Sequence, residues 1–337
     1  MKKIKKIYPD STLKKSLKEL HKIINKSKAV MIAGHVSPDG DDIASQLALG
    51  EYFKNTGKKY VIAWTEDIPR SFRFLPGSDS IVNIKKKTVS PDDFDLIIIV
   101  DSGDFGRIGD IKDLIKPAHF VVNIDHHMSN TRFGSLNIVV EKACSIGEIL
   151  YYYFTLNSIP ITLNIASDLY VSIVTDTGSF NYDCMHPEVH RIAADLLRLG
   201  VVPADFHILL SQNKTASYMK LLTKTLTNLE LFEDSKIAVS HLAKSDFLPG
   251  EEDDTDGIIE YLGMLDAVSV YVLIKEKTEG SYSASLRSKH NVDVAKVASN
   301  FNGGGHMRAA GCRTDKLSLD EFKSNIIGKI KEQLYNG

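Results

Sequence analysis

The stretch Asp95-Leu96-Ile97-Ile98-Ile99-Val100-Asp101-Ser102-Gly103-Asp104 decides how this chain is read. Five consecutive aliphatic residues between acids suit a strand covered on both faces, the pattern of a parallel sheet. Two other apolar runs share that character: residues 29–33, ending at Gly34-His35, and residues 120–124, ending at Asp125-His126-His127. A further strand is expected over 60–63. Between these runs the spacing turns helical. Residues 41–55 set Ile43, Leu47 and Phe53 on one side, with Gly57 just past the end. Residues 11–28 read as a Lys-rich helix with Leu13, Leu17, Leu20 and Ile24 on one face. Helices are also expected over 143–156, 161–174 and 187–199. Strands alternating with helices predict the α/β class, with a doubly wound, mostly parallel sheet.

Beyond Gly200 the pattern changes. A first domain is expected over 1–200, a connection over 201–213 and a smaller mixed α/β domain over 214–337. In the second domain residues 214–229 read as a helix. Strands follow over 236–241, 269–275 and 282–287, and a helix over 292–301 leads into Gly303-Gly304-Gly305-His306. The acidic run over 251–254 reads as a solvated loop.

Composition narrows the function. The chain has 337 residues, with 41 Lys and Arg against 43 Asp and Glu, a formal net charge of -2. That balance argues against a duplex-DNA binder but leaves room for a site gripping one or two phosphates. No apolar run is long enough for a membrane span. The basic amino terminus lacks the apolar stretch of a signal peptide. Cys144, Cys184 and Cys312 are widely separated, without a CxxC pair. The expectation is a cytoplasmic protein with no membrane contact.

In open parallel sheets, ligands bind beyond the carboxyl ends of the strands. Three such ends here carry chemistry: His35-Val36-Ser37-Pro38-Asp39-Gly40-Asp41-Asp42, then Asp101-Ser102-Gly103-Asp104, then Asp125-His126-His127. Asp176 follows a predicted helix in Val174-Thr175-Asp176-Thr177-Gly178. Any one of these alone is explained by a turn or a helix cap; the set is not. Clustered carboxylates repel unless a cation sits among them. Carboxylate with imidazole and no thiolate suits Mn²⁺, leaving room for Mg²⁺ or Co²⁺. The donors exceed what one ion needs, and two ions about 3.5–4 Å apart, bridged by a shared Asp, would use them all. Farther along, Gly303-Gly304-Gly305-His306 offers backbone amides and an imidazole to an anion. Arg287 has the planar fork suited to a bidentate phosphate clamp.

These motifs, in this order, resemble the DHH phosphoesterase superfamily, and Ser285-Leu286-Arg287-Ser288 with the later GGGH resemble its DHHA1 domain. The resemblance runs from about residue 29 to 312. Within the superfamily the chain looks like the stand-alone enzymes that degrade very short oligoribonucleotides (nanoRNA) to mononucleotides. Those enzymes also dephosphorylate 3′-phosphoadenosine 5′-phosphate (pAp) to AMP. The resemblance implies one ion held by His35, Asp39 and Asp101, and a second held by Asp41, Asp101, His126 and Asp176. Asp101 would bridge, His127 would face the substrate phosphate, and Asp125 would orient the histidines. Arg287, Gly304, Gly305 and His306 would bind substrate across a cleft between the domains. The implied partners are short single-stranded RNA and pAp, not duplex DNA; a homodimer is left open.

Two residues depart from the family pattern: Asp42 and Ala44 stand where Ala and Gly are more usual. Asp42 is expected to point away along its helix. The rival readings are a phosphodiesterase of cyclic or linear dinucleotides and a nucleotide-binding sensor. The complete donor set speaks against the sensor, which would not need it.

Overall fold

The aliphatic run from Leu96 to Val100 lies at the centre of the first sheet. The computed structural model describes residues 9–248, 255, 257–289 and 292–336, and the acidic run over 251–254 lies outside them. Two compact units divide after Asn213.

The first unit runs α1 (Ser11–Lys26), β1 (Ala29–Ala33), α2 (Gly40–Thr56), β2 (Lys59–Trp64), β3 (Ile81–Asn83), β4 (Leu96–Val100), β5 (Phe120–Asp125) and β6 (Leu136–Val139). It continues with α3 (Ile146–Leu156), α4 (Leu163–Asp176), α5 (Pro187–Arg198) and α6 (Pro203–Ser211). The strand order is β3-β2-β1-β4-β5-β6, every pair parallel. The order reverses between β1 and β4, so the switch point lies where His35 and Asp101 leave the sheet.

All five β4 residues are buried, as a doubly covered strand requires. Leu96, Ile98 and Val100 face the core built with α1 to α5. Ile97 and Ile99 face the other side, where Ile108 and Ile111 close over them. That second face is covered by the 3-10 stretch Phe105–Leu114 rather than by an α-helix. Leu13, Leu17, Leu20 and Ile24 are the buried positions of α1. The segment read as a connection carries α6, whose Phe206 and Leu210 pack on the first core.

The second unit runs α7 (Ala216–Thr227), β7 (Glu230–Phe232), β8 (Ile237–Leu242), α8 (Ile258–Leu262), β9 (Val270–Thr278), β10 (Ser281–Ser288), α9 (Val294–Ser299), β11 (Gly304–His306), β12 (Ala309–Thr314) and α10 (Leu319–Asn336). The sheet order is β11-β12-β10-β9-β8-β7. Its ladders are antiparallel except β8 with β9. Val294 and Val297 of α9 and Phe322 and Ile326 of α10 fill one core of this unit, and Tyr218, Leu221 and Ile258 help fill another. Among the described residues no helix is long and apolar enough to cross a membrane.

Candidate metal centre

Three strand ends and two helix ends bring the acids and histidines together. Asp39 caps α2, its side chain accepting from the amides of Asp41 and Asp42 at 3.0 and 3.1 Å. Helix α2 therefore starts where Asp41 must stand, and the partial positive charge of its first turn favours acids there. Asp101 follows β4 with φ 53°, a left-handed conformation unusual outside glycine. Its amide still donates to the Ile124 carbonyl at 3.0 Å, so the chain turns one residue past the strand. Asp125 ends β5 with His126 and His127 directly after it, and Asp176 ends α4.

The residues fall into three overlapping donor groups, each with its ligand atoms within 4.8 Å of one another: His35, Asp39 and Asp101; Asp41, His126 and Asp176; Asp101, His126 and His127. Asp101 and His126 each belong to two. His35 Nε2 lies 3.5 Å from Asp101 Oδ2. His126 Nε2 lies 3.4 Å from Asp101 Oδ1, 3.3 Å from Asp176 Oδ2 and 3.8 Å from Asp41 Oδ2.

Tautomers sharpen this picture. His35 Nδ1 is 2.8 Å from the Val36 carbonyl, and His126 Nδ1 is 3.2 Å from the Ala143 carbonyl. A carbonyl only accepts, so both histidines carry hydrogen on Nδ1 and present Nε2 to the carboxylates. A lone pair facing carboxylate oxygens calls for positive charge between them, either a proton or a metal ion. Asp101 Oδ1 is buried without a hydrogen bond, as a ligand oxygen would be. The residues present thus fit a divalent ion with nitrogen and oxygen ligands.

Electrostatics point the same way. Burial, then the nearness of Asp101 and Asp39, lifts the Asp176 carboxyl to about 7, although His126 opposes the shift. Burial, then Asp101 and Asp176, holds Asp41 well above the usual carboxylate range. Burial opposes charge on His35, but Asp101, Asp42 and Asp39 outweigh it and raise the imidazole to about 10.

The surroundings add groups that the motifs do not reveal. Asp41 accepts from the Ile146 amide at 2.8 Å, Ser172 Oγ at 2.5 Å and Ser45 Oγ at 3.1 Å. His127 Nδ1 lies 2.8 Å from Asp125 Oδ1, whose other oxygen accepts from Asn130 Nδ2 at 2.5 Å. Burial pushes the Asp125 carboxyl up, but His127 and Asn130 hold it below its ordinary range.

Asp42 corrects one expectation. It does not point away along the helix: it is wholly buried, and its carboxylate lies beneath Gly34, where an added Cβ would fall 1.6 Å from Oδ1. Gln46 Nε2 donates to Oδ1 at 2.9 Å, and Trp64 Nε1 to Gln46 at 3.0 Å. Asp42 belongs to none of the three donor groups.

In the second unit, Gly304, Gly305 and His306 form an exposed edge strand rather than an open cradle. The small size of the flanking glycines serves strand packing: a Cβ at Gly303 would meet the Gly311 carbonyl at 2.2 Å, and one at Gly305 the Ala309 carbonyl at 2.5 Å. Gly304 alone has open space on that side. Arg287 Nε donates to Glu260 at 3.1 Å, and Tyr271 Oη donates to the other oxygen of Glu260 at 3.1 Å. No motif in the sequence marked Glu260.

Comparison with known proteins follows the same division. Residues 29–173 match the DHH family, N-terminal domain, and residues 235–332 match the DHHA1 domain. The bifunctional oligoribonuclease and PAP phosphatase NrnA of Thermus thermophilus is 32% identical over 305 residues, covering 90% of each chain. The chain belongs to the DHH family. It is a phosphoesterase, a hydrolase of phosphoric ester bonds. Among solved structures, an exopolyphosphatase-related protein of Bacteroides fragilis superposes with a TM-score of 0.86 at 24% identity, over 95% of this chain and 98% of that one. RecJ of Thermus thermophilus, crystallised with Mn²⁺, shares the fold with a TM-score of 0.57 at 13% identity, over 96% of this chain and 55% of that one. In DHH terms, the three motifs lie at the carboxyl ends of β1, β4 and β5 of one sheet, and the acid ending α4 joins them.

Proposed function

We propose that this DHH phosphoesterase uses two divalent ions, Mn²⁺ by preference, to hydrolyse very short oligoribonucleotides to mononucleotides and pAp to AMP. The observation that carries the reading is the sharing of Asp101 and His126 among three donor groups. A single-ion site does not need overlapping sets. The NrnA relative, alike over 90% of both chains, supports the substrate class. A cytoplasmic setting agrees with three free cysteines.

His35, Asp39 and Asp101 would hold one ion; Asp41, Asp101, His126 and Asp176 would hold the other. Divalent ions there supply Lewis-acid polarisation of a phosphoryl oxygen and a more acidic bound water. The protein's own part is positioning. Carbonyls at Val36 and Ala143 fix the tautomers of His35 and His126. The Ile146 amide and Ser172 aim the Asp41 carboxylate. Asp125 binds His127 at Nδ1, so His127 would meet a substrate oxygen through Nε2. Arg287 and His306 would take a phosphate of the nucleotide.

The test is a panel assay on chelator-treated protein reloaded with Mn²⁺, Mg²⁺ or Co²⁺. Substrates are pAp, di- to pentanucleotides, cyclic dinucleotides and pyrophosphate at matched concentrations. The reading expects AMP from pAp and mononucleotides from the short RNAs, greatest with Mn²⁺. Preference for cyclic dinucleotides or pyrophosphate would overturn the substrate class, and full activity without added metal would overturn the metal dependence.

A further inference from the structure

The turn over residues 143–146 touches two metal-site residues with its backbone. The Ala143 carbonyl holds His126 Nδ1 at 3.2 Å. Three residues later the Ile146 amide donates to Asp41 at 2.8 Å. Between them, Ser145 caps α3 through the Glu148 amide at 3.3 Å, and its Oγ lies 3.1 Å from Ser172 Oγ, which itself donates to Asp41. Whatever fixes this turn fixes Asp41 and His126, two of the three members of the group with Asp176.

Two side chains stand behind the turn. Glu148 is fully buried. A carboxylate at this position of an Ser-x-x-Glu box ordinarily reaches back to the capping residue's own amide. Here Glu148 Oε2 accepts from the amide one residue earlier, Cys144, at 2.9 Å, and so grips the peptide that carries the Ala143 carbonyl. Its charge is met by His186, whose Nε2 lies 3.2 Å from Oε1 and 3.3 Å from Oε2. His186 occupies the N-cap of α5, yet its side chain makes no capping bond there. N-caps favour Ser, Thr, Asp and Asn because their side chains bond the helix. The His186 imidazole is instead turned to Glu148.

We propose that Glu148 and His186 are positioning residues for the Asp41/His126/Asp176 half of the metal centre, acting through the 143–146 turn. The proposal rests on the reading that this group holds a divalent ion. Glu148 fixes the peptide plane that keeps hydrogen on His126 Nδ1, and His186 stabilises the buried carboxylate that does so. Neither residue belongs to a donor group. Groups that orient metal-binding histidines typically contribute 10–100-fold in metal affinity.

The experiment is Mn²⁺ binding to the full chain, followed by calorimetry and by the Mn²⁺ electron paramagnetic resonance signal. Variants are Glu148→Gln, His186→Ala and His186→Gln, with Asp101→Asn as control. In the metal-free proteins, nitrogen NMR of His126 reports its tautomer directly. The expected result is that Glu148→Gln and His186→Ala weaken one of two classes of Mn²⁺ site by about ten-fold or more. The other class stays unchanged, the His126 Nδ1–H signal shifts, and His186→Gln, which keeps a donor, restores binding. Equal weakening of both classes would mean a general structural role and overturn the proposal. So would unchanged binding together with an unchanged His126 signal. If Glu148→Gln does not fold, His186→Ala at its partly exposed position decides alone. If the unmodified chain binds no Mn²⁺, it is the metal-centre reading that fails, and the His126 signal still tests the link from Glu148.

Discussion

Arg287 and His306 pair across the second sheet with the same residue, Ala309. They therefore share one cross-strand row, two strand spacings or roughly 10 Å apart, with side chains on the same face. Tyr271 continues the row beyond Arg287, and Glu260 ties Tyr271 to Arg287. The substrate contacts proposed for Arg287 and His306 would thus fall on one face of this sheet.

Arg287→Ala is expected to raise KM for pAp and dinucleotides by about ten- to a hundred-fold, the worth of a hydrogen bond to a charged group. Hydrolysis of bis-p-nitrophenyl phosphate, which lacks a nucleoside to hold, should change little. Steady-state kinetics on the three substrates check this; an equal loss on the generic ester would remove Arg287 from substrate binding.

Asp101→Asn should abolish Mn²⁺ binding at both classes of site and lower kcat/KM by more than about 100-fold, beyond the loss of a merely supporting group. Far-ultraviolet circular dichroism should stay that of the parent protein. Retention of a tenth of the rate would exclude a bridging role.

Metal should stabilise the folded chain. Several buried acids repel in its absence, and an ion bound only by the native state stabilises by mass action, about 2.7 kcal/mol per site at 100-fold over Kd. Thermal melts with Mn²⁺ and with a chelator should differ by several degrees. Coincident melts would show that no ion binds the native state selectively.

The His186–Glu148 pair predicts a pH dependence. The hydrogen bond to Glu148 raises the His186 pKa above its ordinary value; burial opposes this, and Glu148 and Glu188 add to it. A group whose pKa is raised on folding contributes fully below its unfolded value, about 6.5. That contribution fades as pH rises through the folded value. The stability difference between the parent and His186→Ala in urea should thus be larger at pH 5.5 than at pH 9. A difference that grows with pH would contradict the pair.

Asp168 is buried in α4 with both carboxylate oxygens lacking a hydrogen bond. Burial, then the nearby Glu51, raises its carboxyl well above the ordinary range. In that direction stability is greatest below the unfolded pKa and falls as pH rises toward the folded one. Asp168→Leu, close in size, should stabilise the protein by about 1–3 kcal/mol, more at pH 8 than at pH 4. Urea titrations at the two values check both statements.

Much of the first unit was legible because its elements are local patterns. Leu96 to Val100 could only be a covered strand, and Leu13, Leu17, Leu20 and Ile24 recur at helical spacing and are all buried. Short elements such as β3, β6 and β11 escaped, since three or four residues show no period. Helix α6 carries no legible period, because its apolar residues are not confined to one face. Glu260 left no trace, since its meaning depends on Arg287, 27 residues away.

What the sequence determined by itself is the chemistry available and its place along the chain: apolar runs ending in Asp and His, five short motifs in a fixed order, and no thiolate among them. Those follow from side-chain type and from periods of two and 3.6 residues, which need no folded partner. Which atoms meet is set by packing. Asp41 takes its direction from Ile146 and Ser172, 105 and 131 residues away, and Asp42 turned under Gly34 because that residue has no Cβ. Contacts across such distances depend on how two faces pack, and no local pattern in a chain records that.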